Sequence, residues 1–145
     1  MLFLGGFFLA IAATKYRLDR NLARVLLRPF GNNPRFVMLG LMLITAVFSM
    51  FMSNTATTAL MLAILAPVLN LFHPEDPARV GFILSIPLAA NIGGVGTPIG
   101  TPPNAVAMKY LTGNNVISFS EWMTFGIPFA LLLLSVTWLL LIFFN

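Results

Sequence analysis

Apolar residues run along this chain in blocks too long for an ordinary protein core, and the polar positions that interrupt them are few and clustered. Residues 1–14 form one apolar block and 36–72 a second; 80–90 and 105–111 are two pieces of a third, and 127–144 form a fourth. Near the middle of the second block stand Ser53, Asn54 and Thr55, with Thr57 and Thr58 just behind them. The third block is split by a run rich in glycine and proline from Asn91 to Asn104.

As helix, residues 36–72 would reach about 55 Å at a rise of ~1.5 Å per residue, too far for one crossing of a hydrocarbon core of roughly 30 Å. The two limbs, 36–52 and 59–72, would reach only about 25 Å and 21 Å. The predicted form is a re-entrant helical hairpin over 36–72 with Ser-Asn-Thr at its tip and a helix resuming around Ala56. Lipid cannot satisfy freed backbone groups, so the tip is expected to line protein or a wet cavity.

Gly93, Gly94, Gly96 and Gly100 permit unusual backbone angles, while Pro98, Pro102 and Pro103 remove backbone donors. Residues 79–112 therefore read as a broken transmembrane helix, with its break over 91–104 and a far-side turn at 112–115. In the last segment, 118–144, Ser118 and Glu121 have capping-box spacing, and Trp122 suits the headgroup level of a transmembrane helix. Glu121 reads as cap and interface anchor, and His73, with no second His or Cys nearby, as an interfacial residue.

Composition moves the whole chain into the bilayer: 59% hydrophobic residues, 8% charged and a mean hydropathy of +0.94. The fold class is all-α integral membrane. Lys15, Arg17, Arg20, Arg24, Arg28 and Arg35 are six of the eight basic residues, and all lie between the first and second apolar blocks. By the positive-inside rule that connection is cytoplasmic. Leu18, Leu22, Val25 and Leu26 recur at helical spacing among these arginines, so 15–35 reads as a cytoplasmic interfacial helix and loop. Residues 1–14 read as a transmembrane helix, since basic residues follow where a signal peptide would carry a cleavage site.

The net charge of +4 thus records membrane topology, and nucleic acid is not an expected partner. The absence of cysteine excludes disulfides, thiolate metal sites and thiol nucleophiles. The glycine-rich run lacks the Lys-Ser/Thr ending of a P-loop and the spacing of a dinucleotide fingerprint, and no G-x-S-x-G or HExxH is present. An enzyme is not expected, and no organic cofactor.

Two interrupted segments with polar side chains at their breaks point to the midplane site of a secondary transporter. A helix starting just after the tip aims free amides and its positive dipole end at an anionic group. Hydroxyl, amide and carbonyl oxygens from Ser49, Ser53, Asn54 and the glycine-rich break suit a small hard cation such as sodium. Apart from Arg79 and Lys109 toward the ends of the second, these segments are uncharged, so co-bound cations would compensate an entering anion, a physical reason for sodium coupling. The bland alternative is that Ser, Asn and Thr only hydrogen-bond between helices.

The run Ser49-Met50-Phe51-Met52-Ser53-Asn54-Thr55-Ala56-Thr57, followed by Asn91-Ile92-Gly93-Gly94 and Gly100-Thr101-Pro102-Pro103-Asn104, resembles the amino-terminal half of the divalent anion:sodium symporters, which include the INDY-type dicarboxylate transporters. Leu18-Asp19-Arg20 and Ser118-Phe119-Ser120-Glu121-Trp122 extend the resemblance along nearly the whole chain. The resemblance implies a sodium site from Ser49, Ser53, Asn54 and the backbone near Gly100, with Asn54, Thr55 and Thr101 meeting a substrate carboxylate. It implies sodium-driven uptake of C4-dicarboxylates such as succinate, malate or fumarate, by an elevator-like movement, in a multi-pass protein of the cell (inner) membrane. A homodimer of the complete protein is implied. Relatives that carry sulfate or citrate, or that exchange anions, are alternatives.

Such transporters contain two inverted repeats, and this chain carries one Ser-Asn-Thr tripeptide. It is expected to be one inverted-repeat half, with the carboxy-terminal half missing. At about 21 Å the first helix is short, so chain is expected before Met1 as well. A truncated, non-transporting membrane protein is the remaining alternative.

Overall fold

The computed structural model describes residues 33–70, 72–73, 75–111 and 117–144. The 1–14 helix, residues 15–32 of the interfacial segment and the 112–115 turn lie outside them. Among the described residues the regular elements are five α-helices: α1 (Pro34–Ser49), α2 (Asn54–Leu69), α3 (Pro77–Gly94), α4 (Pro102–Tyr110) and α5 (Phe119–Phe144).

Local chemistry sets most of the helix starts. Asn33 caps α1 by accepting from the Arg35 amide, Ser53 caps α2 by accepting from Ala56, and Asp76 caps α3 by accepting from Ala78. Pro34, Pro77 and Pro102 stand in first turns, where a missing N–H costs no helical hydrogen bond. Before α5 the Ser118 amide donates to Glu121 Oε2 at 2.7 Å and the Glu121 amide donates to Ser118 Oγ at 3.2 Å, a reciprocal capping box.

Helix α3 is central, packing against α1, α2 and α5, while α1 also meets α2 and α5. One face of α1 is buried through Met38, Leu41, Met42, Thr45 and Ser49, and one face of α2 through Thr57, Met61, Ile64 and Leu65. These close on Phe82, Ile86 and Ala89 of α3. Gly93 brings α3 onto α1 so closely that a Cβ there would overlap the Ala46 backbone. Two hydroxyls inside this apolar body turn back onto their own helices, Thr45 donating to the Leu41 carbonyl and Ser85 to that of Phe82.

Helix α5 is the one described helix long and apolar enough to cross a membrane, with a mean hydropathy of 2.6. Gly126, Ala130, Leu134 and Leu141 are buried on it, while Phe125, Phe129, Leu132, Leu139 and Phe143 are exposed. Such a surface is suited to lipid or to further protein. At 16 residues each, α1 and α2 are shorter apolar helices.

Boundaries differ from the sequence expectation in three places. Helix α2 begins at Asn54, before Ala56. Helix α3 runs on through Asn91 to Gly94, so the break occupies 95–101 and starts later than expected. Glycine there serves close packing on α1, and Pro102 and Pro103 open α4 instead of lying in the break. Trp122 is buried against protein, its Nε1 donating to the Val95 carbonyl at 3.0 Å.

Candidate functional site

Ser49 ends α1 and is fully buried. Its Oγ lies 2.8 Å from Asn54 Oδ1 and 2.6 Å from the Ala90 carbonyl oxygen. A hydroxyl carries one proton and can donate to only one of these oxygens at a time. Three oxygens therefore meet around a single proton, with lone pairs in excess. The Asn54 Nδ2 donates to Asn91 Oδ1 at 3.0 Å, which turns Oδ1 toward Ser49. This neutral, all-oxygen donor set suits a hard monovalent cation rather than a transition metal. No group of three or more His, Cys, Asp or Glu side chains able to hold a metal occurs among the described residues.

Glycines bring the second break to this cluster. A Cβ on Gly94 would stand 2.6 Å from Asn54 Oδ1, and one on Gly100 would stand 2.5 Å from the Gly94 carbonyl oxygen. Gly100 is thus one glycine removed from Asn54. Ser53 lies at the rim, exposed, with its Oγ engaged as the α2 cap by the Ala56 amide at 3.3 Å.

The residues expected to meet a carboxylate are arranged differently. Because α2 starts at Asn54, Asn54 and Thr55 form its first turn, where amides have no intrahelical acceptor. Thr101 occupies the N-cap position of α4 but makes no side-chain cap bond. Its next two neighbours are prolines, and the Asn104 amide bonds to the Thr101 carbonyl instead, at 3.1 Å. Thr55 and Thr101 make no side-chain hydrogen bond among the described residues, leaving both hydroxyls available. The structure joins Ser49 to Asn54 directly, brings Gly100 near them through Gly94, and leaves Thr55 and Thr101 unbonded to the rest.

Four participants escaped the sequence reading. The Ala90 carbonyl leaves no mark in a sequence. Asn91, Thr97 and Asn104 were visible as polar residues in an apolar segment, but their partners were not. Thr97 donates to the Met50 carbonyl at 2.6 Å, and Asn104 Nδ2 donates to the carbonyls of Gly94 and Thr97 at 2.9 and 2.8 Å.

A family model described as "Citrate transporter" matches residues 1–144. Sodium-dependent high-affinity dicarboxylate transporter 3 of Caenorhabditis elegans is 37% identical over 99% of this chain and 29% of its own length. The sodium-dependent dicarboxylate transporter SdcS of Staphylococcus aureus (strain NCTC 8325 / PS 47) is 37% identical over 97% of this chain and 29% of its own length. The chain thus spans 29% of the length of each of these relatives. With this match along its whole length, and with the paired Ser-Asn-Thr and Gly-Thr-Pro-Pro-Asn motifs, the chain belongs to the citrate transporter family, among the divalent anion:sodium symporters.

Proposed function

We propose that this chain supplies one inverted-repeat half of a sodium-coupled secondary transporter for C4-dicarboxylates such as succinate, malate or fumarate. The observation that carries the reading is the Ser49, Asn54 and Ala90 oxygen cluster, which has one proton and abuts the open first turn of α2. Sodium at Ser49, Ser53, Asn54 and the Gly100 backbone would displace the Ser49 hydrogen bond and place a positive charge beside that turn. A substrate carboxylate would then meet the Asn54 and Thr55 amides, the Thr55 hydroxyl and, across the break, Thr101. Cation and anion each lower the cost of the other in a site with no charged side chain of its own, which is the thermodynamic content of coupling.

In this reading 36–72 is a re-entrant hairpin. The 16-residue lengths of α1 and α2 support it, because about 24 Å of helix falls short of a core of roughly 30 Å. The complete protein would be a multi-pass homodimer of the cell (inner) membrane that moves its binding domain in elevator fashion, and a carboxy-terminal repeat would supply the other carboxylate contacts. Citrate is the second reading for the substrate, favoured by the description of the matching family.

Uptake into proteoliposomes by the complete transporter decides both points. Labelled succinate should enter only with an inward sodium gradient, and Asn54→Ala should abolish the entry. Gradient-independent uptake would remove sodium coupling, and citrate outcompeting succinate would replace the substrate.

A further inference from the structure

The two breaks are fastened together by side chains that stand outside the proposed ligand set. Thr97 is fully buried, and its hydroxyl donates to the carbonyl of Met50, the C-cap of α1. Carbonyls at a helix C-terminus lack intrahelical donors, so this bond satisfies a group that lipid could not. Met50 directly follows Ser49, and the turn it opens leads to Ser53 and Asn54.

Behind Thr97 stands Asn104, only 8% exposed. Its amide has two protons, and both are spent, one on the Gly94 carbonyl and one on the Thr97 carbonyl. The Gly100 amide donates to the same Thr97 carbonyl at 3.3 Å. Gly94 in turn touches Asn54. These bonds hold the first turn of α4, and Thr101 with it, to the end of α3 and to the break.

We infer that Thr97, braced by Asn104, is a positioning residue: it holds the 95–101 break against the 50–53 turn so that the sodium-facing oxygens and Thr101 keep one fixed geometry. Thr97 touches neither ion nor substrate in this assignment, since its proton is committed to Met50. The inference rests on the transport reading for its functional consequence, but the fastening is a property of the fold.

Three variants of the complete transporter test it. Thr97→Val removes the donor at nearly constant volume, Thr97→Ser keeps it, and Asn104→Asp removes both amide protons. Thr97→Val is expected to raise the half-saturating sodium concentration and the succinate KM together, by about fivefold to tenfold, the size expected for one lost hydrogen bond. Asn104→Asp should act in the same direction, and Thr97→Ser should stay within about twofold of wild type. Amide hydrogen exchange on the detergent-solubilised protein gives a readout that does not require transport: Thr97→Val should speed exchange in 50–53 and 95–104 by the same factor. Unchanged sodium and succinate dependence, a Thr97→Ser variant as impaired as Thr97→Val, or faster exchange in only one segment would overturn the assignment. Wild-type protein without sodium-dependent uptake would instead defeat the transport reading, and the exchange result would still decide the role of Thr97.

Discussion

Gly94 and Asn54 are in such close contact that a single methyl group on the glycine would lie 2.6 Å from the Asn54 amide oxygen. That oxygen also lies 2.8 Å from Ser49 Oγ, so the contact sits inside the cluster proposed to take sodium. The obstructed atom belongs to a side chain that can rotate, which separates two possible costs of substitution at this glycine. Gly94→Ala is expected to turn the Asn54 amide away from Ser49 and Asn91 while the helices stay packed. In the complete transporter the half-saturating sodium concentration should rise about tenfold or more, with reconstituted yield near wild type. An unchanged sodium dependence would show that Asn54 is not held by this contact.

Gly93, one residue earlier, gives the opposite expectation. Its added methyl would overlap the Ala46 Cα, carbonyl carbon and carbonyl oxygen, all of them backbone atoms. Helices α1 and α3 would have to separate, and overpacking of this kind typically costs about 1–3 kcal/mol. Thermal unfolding in detergent should therefore detect Gly93→Ala as strongly destabilised. Ala46→Gly should not rescue it, because the atoms in the way remain after the Ala46 side chain is removed. Rescue by Ala46→Gly would mean that the helices are held apart by side chains rather than by backbone.

The contrast between these glycines marks how far the sequence can be read. Polar side chains at 53–55 stand out against apolar neighbours, and Ser118 with Glu121 announces a helix start by local chemistry alone. The end of α3 is not legible in that way. Gly93 and Gly94 look like helix breakers, yet they are helical because each faces a close neighbour, the Ala46 backbone and the Asn54 amide, from a distant part of the chain. The Ala90 carbonyl is invisible for a different reason, since every residue has one and only the fold selects it. The partner of Trp122 is hidden too, because an indole suits a headgroup region and a buried carbonyl equally well, and the Val95 carbonyl that accepts from it lies 27 positions away.

Thr57 offers a test of what the site does not use. It is fully buried on α2, and its hydroxyl has no hydrogen-bond partner among the described residues. An unpaired buried hydroxyl is a cost, so the near-isosteric Thr57→Val should leave stability unchanged or raise it by up to about 1–3 kcal/mol. Unfolding in sodium-free and sodium-containing detergent buffer checks this. A variant destabilised only in sodium would assign the Thr57 hydroxyl to the cation site.

Trp122 and Trp138, the two tryptophans of the chain, both donate an indole N–H to a backbone carbonyl at 3.0 Å, Trp122 to Val95 and Trp138 to Arg35. Their surroundings differ. Trp122 is buried against the second break, where Gly126 on the next turn of α5 would bring any Cβ to 3.1 Å from the carbonyl oxygens of Val95 and Gly96. Water has little access there, so Trp122→Phe should leave the Val95 carbonyl unpaired and cost about 1–3 kcal/mol. The Trp138 bond is exposed, so Trp138→Phe should cost no more than about 0.5–1.5 kcal/mol. Because Val95 opens the break, Trp122→Phe should also loosen 95–101, visible as faster amide exchange there, whereas Trp138→Phe should leave that segment untouched. Equal melting temperatures for the two variants would show that α5 does not secure the break through its indole.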